Sequence, residues 1–399
     1  MIYLFHRDPF ARVFEAEITA QGEESPGLWR LELSDSAFYP EGGGQPCDLG
    51  TLNGLPVAEV KQPSENGPLL HFVKAGGPLQ SPVRGEIDWA RRRDHMQQHT
   101  GQHLLSHAFF ALFGAYSLGL HIGAEESYVD LRPDGGPLPE NALFLAETLA
   151  SELISADLPV RQWFPSPEEI KTLPLRKAPD AHMNLRVVQI GPEAVACCGT
   201  HLPSTGQARL ILALRSQASH GNLRVFFLAG ERAIERARLG ARAAAAAAAG
   251  LSCPLSGLAA AVQRLREEQR QLARALNRER TQGALLALGQ KETFPLAGER
   301  VLLAELEGLE PRALQEAAAT LPGGASIACL FSRLEGGGVS AALARAESGG
   351  QSMAALFSAL AAVLGGKGGG RADFAQGRLE RFDEAEATRL IRDFLNTKD

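Results

Sequence analysis

Two stretches past the middle of the chain, RAAAAAAAG at 242–250 and LAAAVQRLREEQRQLARALNRER at 258–280, consist almost wholly of strong helix formers. In the second, Leu258, Val262, Leu265, Leu272 and Leu276 keep a heptad-like spacing interrupted by Gln269, the pattern of a helical hairpin or a short coiled coil. A helical stretch placed there divides the chain, and at 399 residues the chain is in any case too long for one compact core. Its 45% apolar and 22% charged residues are ordinary for a soluble globular protein.

On the N-terminal side, residues up to about Trp89 read as β: the alternating runs VFEAEITA and LWRLELS are separated by turns rich in glycine and proline, with one long Gly-rich loop, FYPEGGGQPCDLG. An apolar-periodic helix is expected from Asp94 to about Phe113, and RLILALRS and NLRVFFLAG read as buried strands. From about Phe294 a small α/β domain contains GGKGGGRADFAQG. The expected fold class is α+β multidomain. A β-rich N-terminal domain, drawn as a small β-barrel, covers 1–90, and an α+β metal-binding domain covers 91–235. A helical hairpin or coiled-coil linker occupies 236–290, and a small α/β Gly-rich domain occupies 291–399.

Several classes are disfavoured. The start MIYLFHRDPFARVF has a short apolar run broken by His6, Arg7 and Asp8, so neither a signal peptide nor a membrane span is expected and the protein reads as cytoplasmic. Five scattered cysteines (Cys47, Cys197, Cys198, Cys253, Cys329) make a poor disulfide framework and fit reduced thiols. A net charge of -6 argues against coating nucleic acid through bulk positive charge.

The chemistry-bearing segments are a helix and a turn. In DHMQQHTGQHLLSHAFF, His95, His99, His103 and His107 stand at successive i, i+4 positions, and any neighbouring pair projects two imidazoles to one side. Each step drifts about 40° around a helix, so the four rings cannot converge on one ion, and spacing alone leaves three candidate pairs. Further on, ACCGTHLPSTG supplies a Cys-x-x-x-His, and thiolate with imidazole is the usual zinc donor set. His99 to His103 reads His-Thr-Gly-Gln-His and lacks the glutamate of a HExxH peptidase. GGKGGGR lacks the Ser or Thr of a phosphate-binding loop.

FYPEGGGQPCDLG, DHMQQHTGQHLL and CCGTH, in that order, resemble the editing domain of alanyl-tRNA synthetases and of the free-standing AlaX alanyl-tRNA editing proteins, and GGKGGGRADFAQG is similar to the Gly-rich motif of the synthetase C-terminal domain. The resemblance implies a zinc site of His99, His103, Cys197 and His201. Cys198 stands where the family usually has glycine, so either thiol is a candidate ligand. Only about 35 residues precede the Gly-rich loop, so no aminoacylation activity is expected.

The same resemblance implies a trans-acting deacylase of mischarged Ser-tRNA(Ala), and of Gly-tRNA(Ala), because a small apolar pocket separates alanine from serine or glycine by only about 1–3 kcal/mol. Gln45 and Thr200 are the candidates at the reacting group. Gly42, Gly43, Gly44, Gln45 and His121 are the candidates for substrate contact. For tRNA, Arg91, Arg92 and Arg93 in WARRRDH and Lys367 and Arg371 in the C-terminal domain are the candidates, and the helices before that domain suit a homodimer. Asp94 and Asp130 are either bases or structural partners, and Met96 and Phe109 read as core. Two other readings remain: a zinc hydrolase of small esters or amides, and a non-catalytic tRNA-binding factor with structural zinc.

Overall fold

The structure is a computed structural model that describes residues 2–64, 67–134, 136–173, 175, 185–191, 193–219, 221–333, 337–346 and 350–397. They form two compact units, Met1–Ala244 and Ala245–Asp399, whose boundary falls inside one helix, Gly230–Gly250.

In the first unit a one-turn helix, α1 (Leu4–Arg7), precedes seven strands: β1 (Val13–Ala16), β2 (Ile18–Ser25), β3 (Leu28–Leu33), β4 (Gly50–Leu52), β5 (Leu55–Lys61), β6 (Leu70–Lys74) and β7 (Val83–Ile87). They join antiparallel in the order β1-β7-β4-β5-β6-β3-β2. Only Glu17 separates β1 from β2, so one bent run of chain supplies both edges of the sheet, pairing first with β7 and then with β3. Period-2 alternation sorts the side chains: VRGEI of β7 reads buried, exposed, buried, exposed, buried. Its inward residues pack with Phe5, Phe14, Leu31 and Phe38 in one apolar cluster. Each such side chain contributes about 1.5–3 kcal/mol on leaving water.

The next helix, α2 (Trp89–Phe113), begins at Trp89 and not near Asp94, because the Asp88 carboxylate accepts the Arg91 N–H at 3.1 Å and caps it. It ends where Gly114 turns left-handed, at φ 63°. Beyond it come β8 (Ala115–Ile122), β9 (Ser127–Pro133), α3 (Ala142–Ser155), β10 (Val160–Trp163), α4 (Pro167–Ile170), β11 (Val187–Ile190), β12 (Glu193–Ala196), β13 (Ile211–Ser219) and β14 (Asn222–Ala229). Strands β13-β14-β9-β8 form a four-stranded antiparallel sheet, and β10-β11-β12 a smaller one. Helices α2 and α3 cover one face of the larger sheet, with Met96, Leu105, Phe109, Val129, Val225 and Phe227 in the shared core. Two glutamines fix the register of α2 on that sheet. Gln98 donates to the Ala229 carbonyl at 2.7 Å and accepts its N–H at 3.0 Å, while Gln97 accepts the Glu231 N–H at 3.2 Å.

The helix formers do form helices, α5 (Gly230–Gly250) and α6 (Leu258–Gly289). The heptad leucines of α6 stay in solvent, with Leu265, Leu272 and Leu276 exposed by 51, 71 and 52%, so their spacing is not consumed in a coiled coil within the chain.

The second unit holds β15 (Phe294–Leu296), β16 (Glu299–Glu307), α7 (Pro311–Ala319), β17 (Ile327–Arg333), β18 (Val339–Arg345), α8 (Met353–Leu364), β19 (Gly366–Gly370), β20 (Phe374–Leu379) and α9 (Glu384–Asn396). The sheet order is β15-β16-β17-β18-β20-β19, with β16 and β17 parallel. Alternation sends Val301 and Leu303 toward α8 and α9, and Leu302 and Ala304 toward α7 and the end of α6, so both faces are covered. The Gly-rich segment is the edge strand β19, paired with β20. Among the described residues no single helix is long and apolar enough to cross a membrane.

Candidate metal centre

Helix α2 and the turn after β12 meet through four side chains. His99 and His103 lie one turn apart on α2, Cys197 directly follows β12, and His201 follows in the same turn. Their ligand atoms all lie within 4.8 Å of one another. Cys197 Sγ is 3.3 Å from His99 Nε2 and 3.3 Å from His201 Nε2. A tetrahedral zinc with nitrogen and sulfur ligands at about 2.0–2.3 Å has ligand-to-ligand edges of about 3.3–3.8 Å, so two edges already match and the longest needs about 1 Å of contraction. The donor set and its spacing fit zinc.

The rest of the histidine ladder points elsewhere, as helical drift requires. His107 Nδ1 meets Glu193 Oε2 at 2.7 Å, and buried His95 stands outside the cluster. Cys198 is also outside it: its side chain is exposed, and its carbonyl accepts His6 Nε2–H at 3.1 Å.

A layer of buried polar groups orients the ligands. Gln45 Oε1 lies 2.8 Å from His99 Nδ1 and accepts the Thr200 N–H at 3.2 Å, while Gln45 Nε2 donates to Thr200 Oγ1 at 2.9 Å. An amide oxygen only accepts, so His99 carries its proton on Nδ1 and turns the Nε2 lone pair toward the cluster. Thr100 Oγ1 lies 3.4 Å from His201 Nδ1 and accepts the Leu202 N–H at 3.1 Å. Buried Arg186 holds the turn from below, donating to the carbonyls of Cys197 at 3.0 Å and Gly199 at 2.7 Å.

Two glycines make the approach possible. A Cβ at Gly199 would sit 2.1 Å from the His99 ring, and one at Gly44, whose φ is +80°, would sit 1.8 Å from the Leu120 carbonyl oxygen. Burial holds His99 and His201 well below the ordinary histidine pKa, helped by neighbouring positive charge, and so keeps the imidazoles neutral as ligands must be. Burial pushes the Cys197 thiol up to about 11 in the absence of a cation.

The cluster opens into a cavity of about 550 Å³ whose walls include Gly42, Gly43, His6, Glu41 and Glu193. A second cavity, of about 560 Å³, shares Gly42 and Gly43 with the first and includes Gly44, Gln45, Lys61 and His121. Gln45 and Thr200 are both 0% exposed, with their polar atoms engaged with each other and with His99, so they stand behind the ligands. Asp94 is paired with Arg232, and Asp130 accepts from Arg224 at 2.7 and 2.9 Å, which gives both carboxylates structural partners. Met96 and Phe109 are fully buried.

The basic run needs correcting. Arg92 is fully buried, ion-paired with Asp48 and donating to the Pro9 carbonyl at 2.8 Å, so it cannot meet a phosphate. Arg91 donates to the Cys47 carbonyl at 3.0 Å, and Arg93 is half-buried. Successive helical residues point about 100° apart, so three adjacent arginines do not make one face. In the second unit Lys367 is exposed on β19, and Arg371 is exposed with Asp373 at 3.4 Å. Sequence reasoning missed His6, Arg186 and Glu193, none of which stands in a recognisable spacing with the ligands.

Residues 185–225 match the second additional domain of threonyl and alanyl tRNA synthetases, and residues 298–397 match the DHHA1 domain. The alanyl-tRNA editing protein Aarsd1 of Mus musculus is 29% identical over 100% of this chain and 99% of its own length. Alanyl-tRNA editing protein AlaX-L of Pyrococcus horikoshii is 32% identical over 58% of this chain and 59% of its own. Against the Danio rerio Aarsd1, 32% identical over 52% of this chain, the match spans about half of the relative, 51%. A crystal structure of the C-Ala domain from Aquifex aeolicus alanyl-tRNA synthetase, 24% identical, covers 26% of this chain and 98% of that one with a TM-score of 0.25.

Proposed function

Because the chain is homologous from end to end to an alanyl-tRNA editing protein, we propose that it deacylates mischarged alanine tRNA in trans, hydrolysing Ser-tRNA(Ala) and Gly-tRNA(Ala) without charging tRNA itself. The observation that carries the reading is the convergence of His99, His103, Cys197 and His201 at a cavity walled by the Gly42–Gly43 turn. Zinc is the ion we assign to these four ligands, and when bound it supplies Lewis acidity at an ester that is already activated.

The chain's own residues supply position and selection. Gln45 fixes the tautomer and ring orientation of His99, and Thr200 holds Gln45, so both are positioning residues. Arg186 keeps the Cys197–Gly199 turn from relaxing away from α2. The mixed polar and apolar walls of the cavity suit a small hydroxylated side chain. A site that hydrogen-bonds the serine hydroxyl rejects alanine by on the order of 10⁴ to 10⁵, since alanine leaves buried polar groups unpaired. Lys367 and Arg371 remain candidates for phosphate contact with the outer tRNA, and the odd, scattered set of five cysteines fits a reducing, cytoplasmic setting.

The test is deacylation of Ser-, Gly- and Ala-charged alanine tRNA by zinc-loaded protein. Loss of serine and glycine with alanine spared is expected. Binding without hydrolysis would make the protein a tRNA-binding factor with structural zinc, and tRNA-independent hydrolysis of free aminoacyl esters would make it a small-ester hydrolase.

A further inference from the structure

The face of the four-stranded sheet turned away from α2 carries a row of side chains that no motif predicts. Strand register sets His121 opposite Tyr128, Tyr128 opposite Phe226, and Phe226 opposite Arg215, one residue from each of β8, β9, β14 and β13. The next residues, Val129 and Val225, are fully buried, so the row faces outward. The rings of His121 and Tyr128 stack at 5.0 Å and 28°, and Tyr128 and Phe226 lie 5.8 Å apart. The guanidinium of Arg224 lies 3.8 Å over Tyr128, and that of Arg215 lies 3.8 Å over Phe226.

We propose that this row is a stacking platform for the single-stranded 3′ end of an RNA, leading it to the turn at Gly42–Gly43. The identity of that RNA as a mischarged tRNA rests on the editing reading above. Three observations select this occupant. Guanidiniums laid flat over Tyr128 and Phe226, with the exposed His121 ring beside them, offer planar faces to successive bases without demanding a sequence. The positive charge is mostly offset, Arg224 by Asp130 and Arg215 by a Glu126 that it shares with Arg236, so the face carries one net positive charge over these five groups and suits unstacked bases better than the phosphates of a duplex. The row also ends at the site: His121 is exposed and borders the second cavity, which shares Glu41, Gly42, Gly43 and Gln62 with the metal cavity. A strand tracking the row arrives beside the ligands with its terminal ester foremost. Cross-strand aromatic pairs also stabilise sheets, but that role needs no continuity with a cavity.

The test uses the whole zinc-loaded protein, a labelled single-stranded RNA hexamer ending in CCA, and a blunt RNA duplex as control. Tyr128→Leu and Phe226→Leu keep an apolar group on the sheet, and each is expected to weaken hexamer binding by roughly 5- to 100-fold while barely changing duplex binding. His121→Ala and Arg215→Gln change exposed side chains, keep the fold intact if a ring substitution does not, and should weaken the hexamer in the same direction. With mischarged tRNA, Tyr128→Leu, Phe226→Leu and Arg215→Gln should raise KM with little change in kcat, because groups at the reacting ester stay in place. Folded, zinc-retaining variants with unchanged hexamer affinity and unchanged KM would overturn the platform while leaving the editing reading intact. Wild-type protein that binds the hexamer through the row yet deacylates nothing would keep the platform and remove the editing reading. Wild-type protein that does not bind the hexamer overturns the platform outright.

Discussion

The two compact units bury different things. Among the described residues, every buried charged or histidine side chain, and every buried polar one except Ser332 and Ser340, belongs to Met1–Ala244. In Ala245–Asp399 the sheet is filled from both faces by Leu, Val, Ile, Phe, Met and Ala, with Cys329 the one thiol among them. An apolar interior needs volume and patterning, whereas a buried polar network is stable only when each member has a partner. The first unit therefore carries groups whose purpose is to hold other groups in place, and the second is built as a scaffold.

The largest expected effect that sharpens this contrast is Arg92→Ala. It leaves Asp48 buried without the guanidinium and should cost the first unit about 3–5 kcal/mol. All three tryptophans, Trp29, Trp89 and Trp163, lie in that unit, so urea unfolding followed by tryptophan fluorescence reads it alone. An unchanged midpoint would mean that the pair carries little. In the second unit, Leu356→Ala empties a fully buried position on α8 and should cost about 2–5 kcal/mol, read as an earlier loss of helical circular dichroism, with zinc affinity untouched. Weaker zinc binding in that variant would break the division of labour.

Gln45→Leu keeps the volume and removes the acceptor for His99 Nδ1–H. A lost orienting partner of this kind weakens metal binding by about 10- to 100-fold, which zinc competition against a chelator would measure. Full affinity in Gln45→Leu would show that the histidine needs no orientation. The smallest effect belongs to the exposed stripe of α6: Leu272→Ser should move stability by no more than about 0.5 kcal/mol in either direction, as thermal unfolding can check.

What could be read from the sequence depended on how near in the chain the partners lie. Spacing alone leaves three candidate histidine pairs on α2, and it is the family resemblance that singles out His99 and His103 with Cys197 and His201, whereas the β, helical and α/β stretches are legible from their periods. The start of α2 was placed late, since a cap at Asp88 is a single side chain and leaves no periodic trace. Arg92 was misread because its partner, Asp48, lies on a distant loop and a run of arginines looks like a charged face. The role of Gln45 depends on His99 and Thr200, which are remote in sequence, and that of Arg186 depends on carbonyls that carry no residue identity. The row from His121 to Arg215 depends on strand register, with irregularities between Ser117 and Gly119 and between Ala213 and Arg215 that no alternation pattern encodes.

The central claim is tested most directly by native mass spectrometry of zinc occupancy in the wild type and in Cys197→Ser, Cys198→Ser, His103→Ala and His107→Ala. About one zinc per chain is expected in the wild type, Cys198→Ser and His107→Ala, with strong loss in Cys197→Ser and His103→Ala. Equal occupancy in all five proteins, or loss in Cys198→Ser with retention in Cys197→Ser, would contradict the site described here.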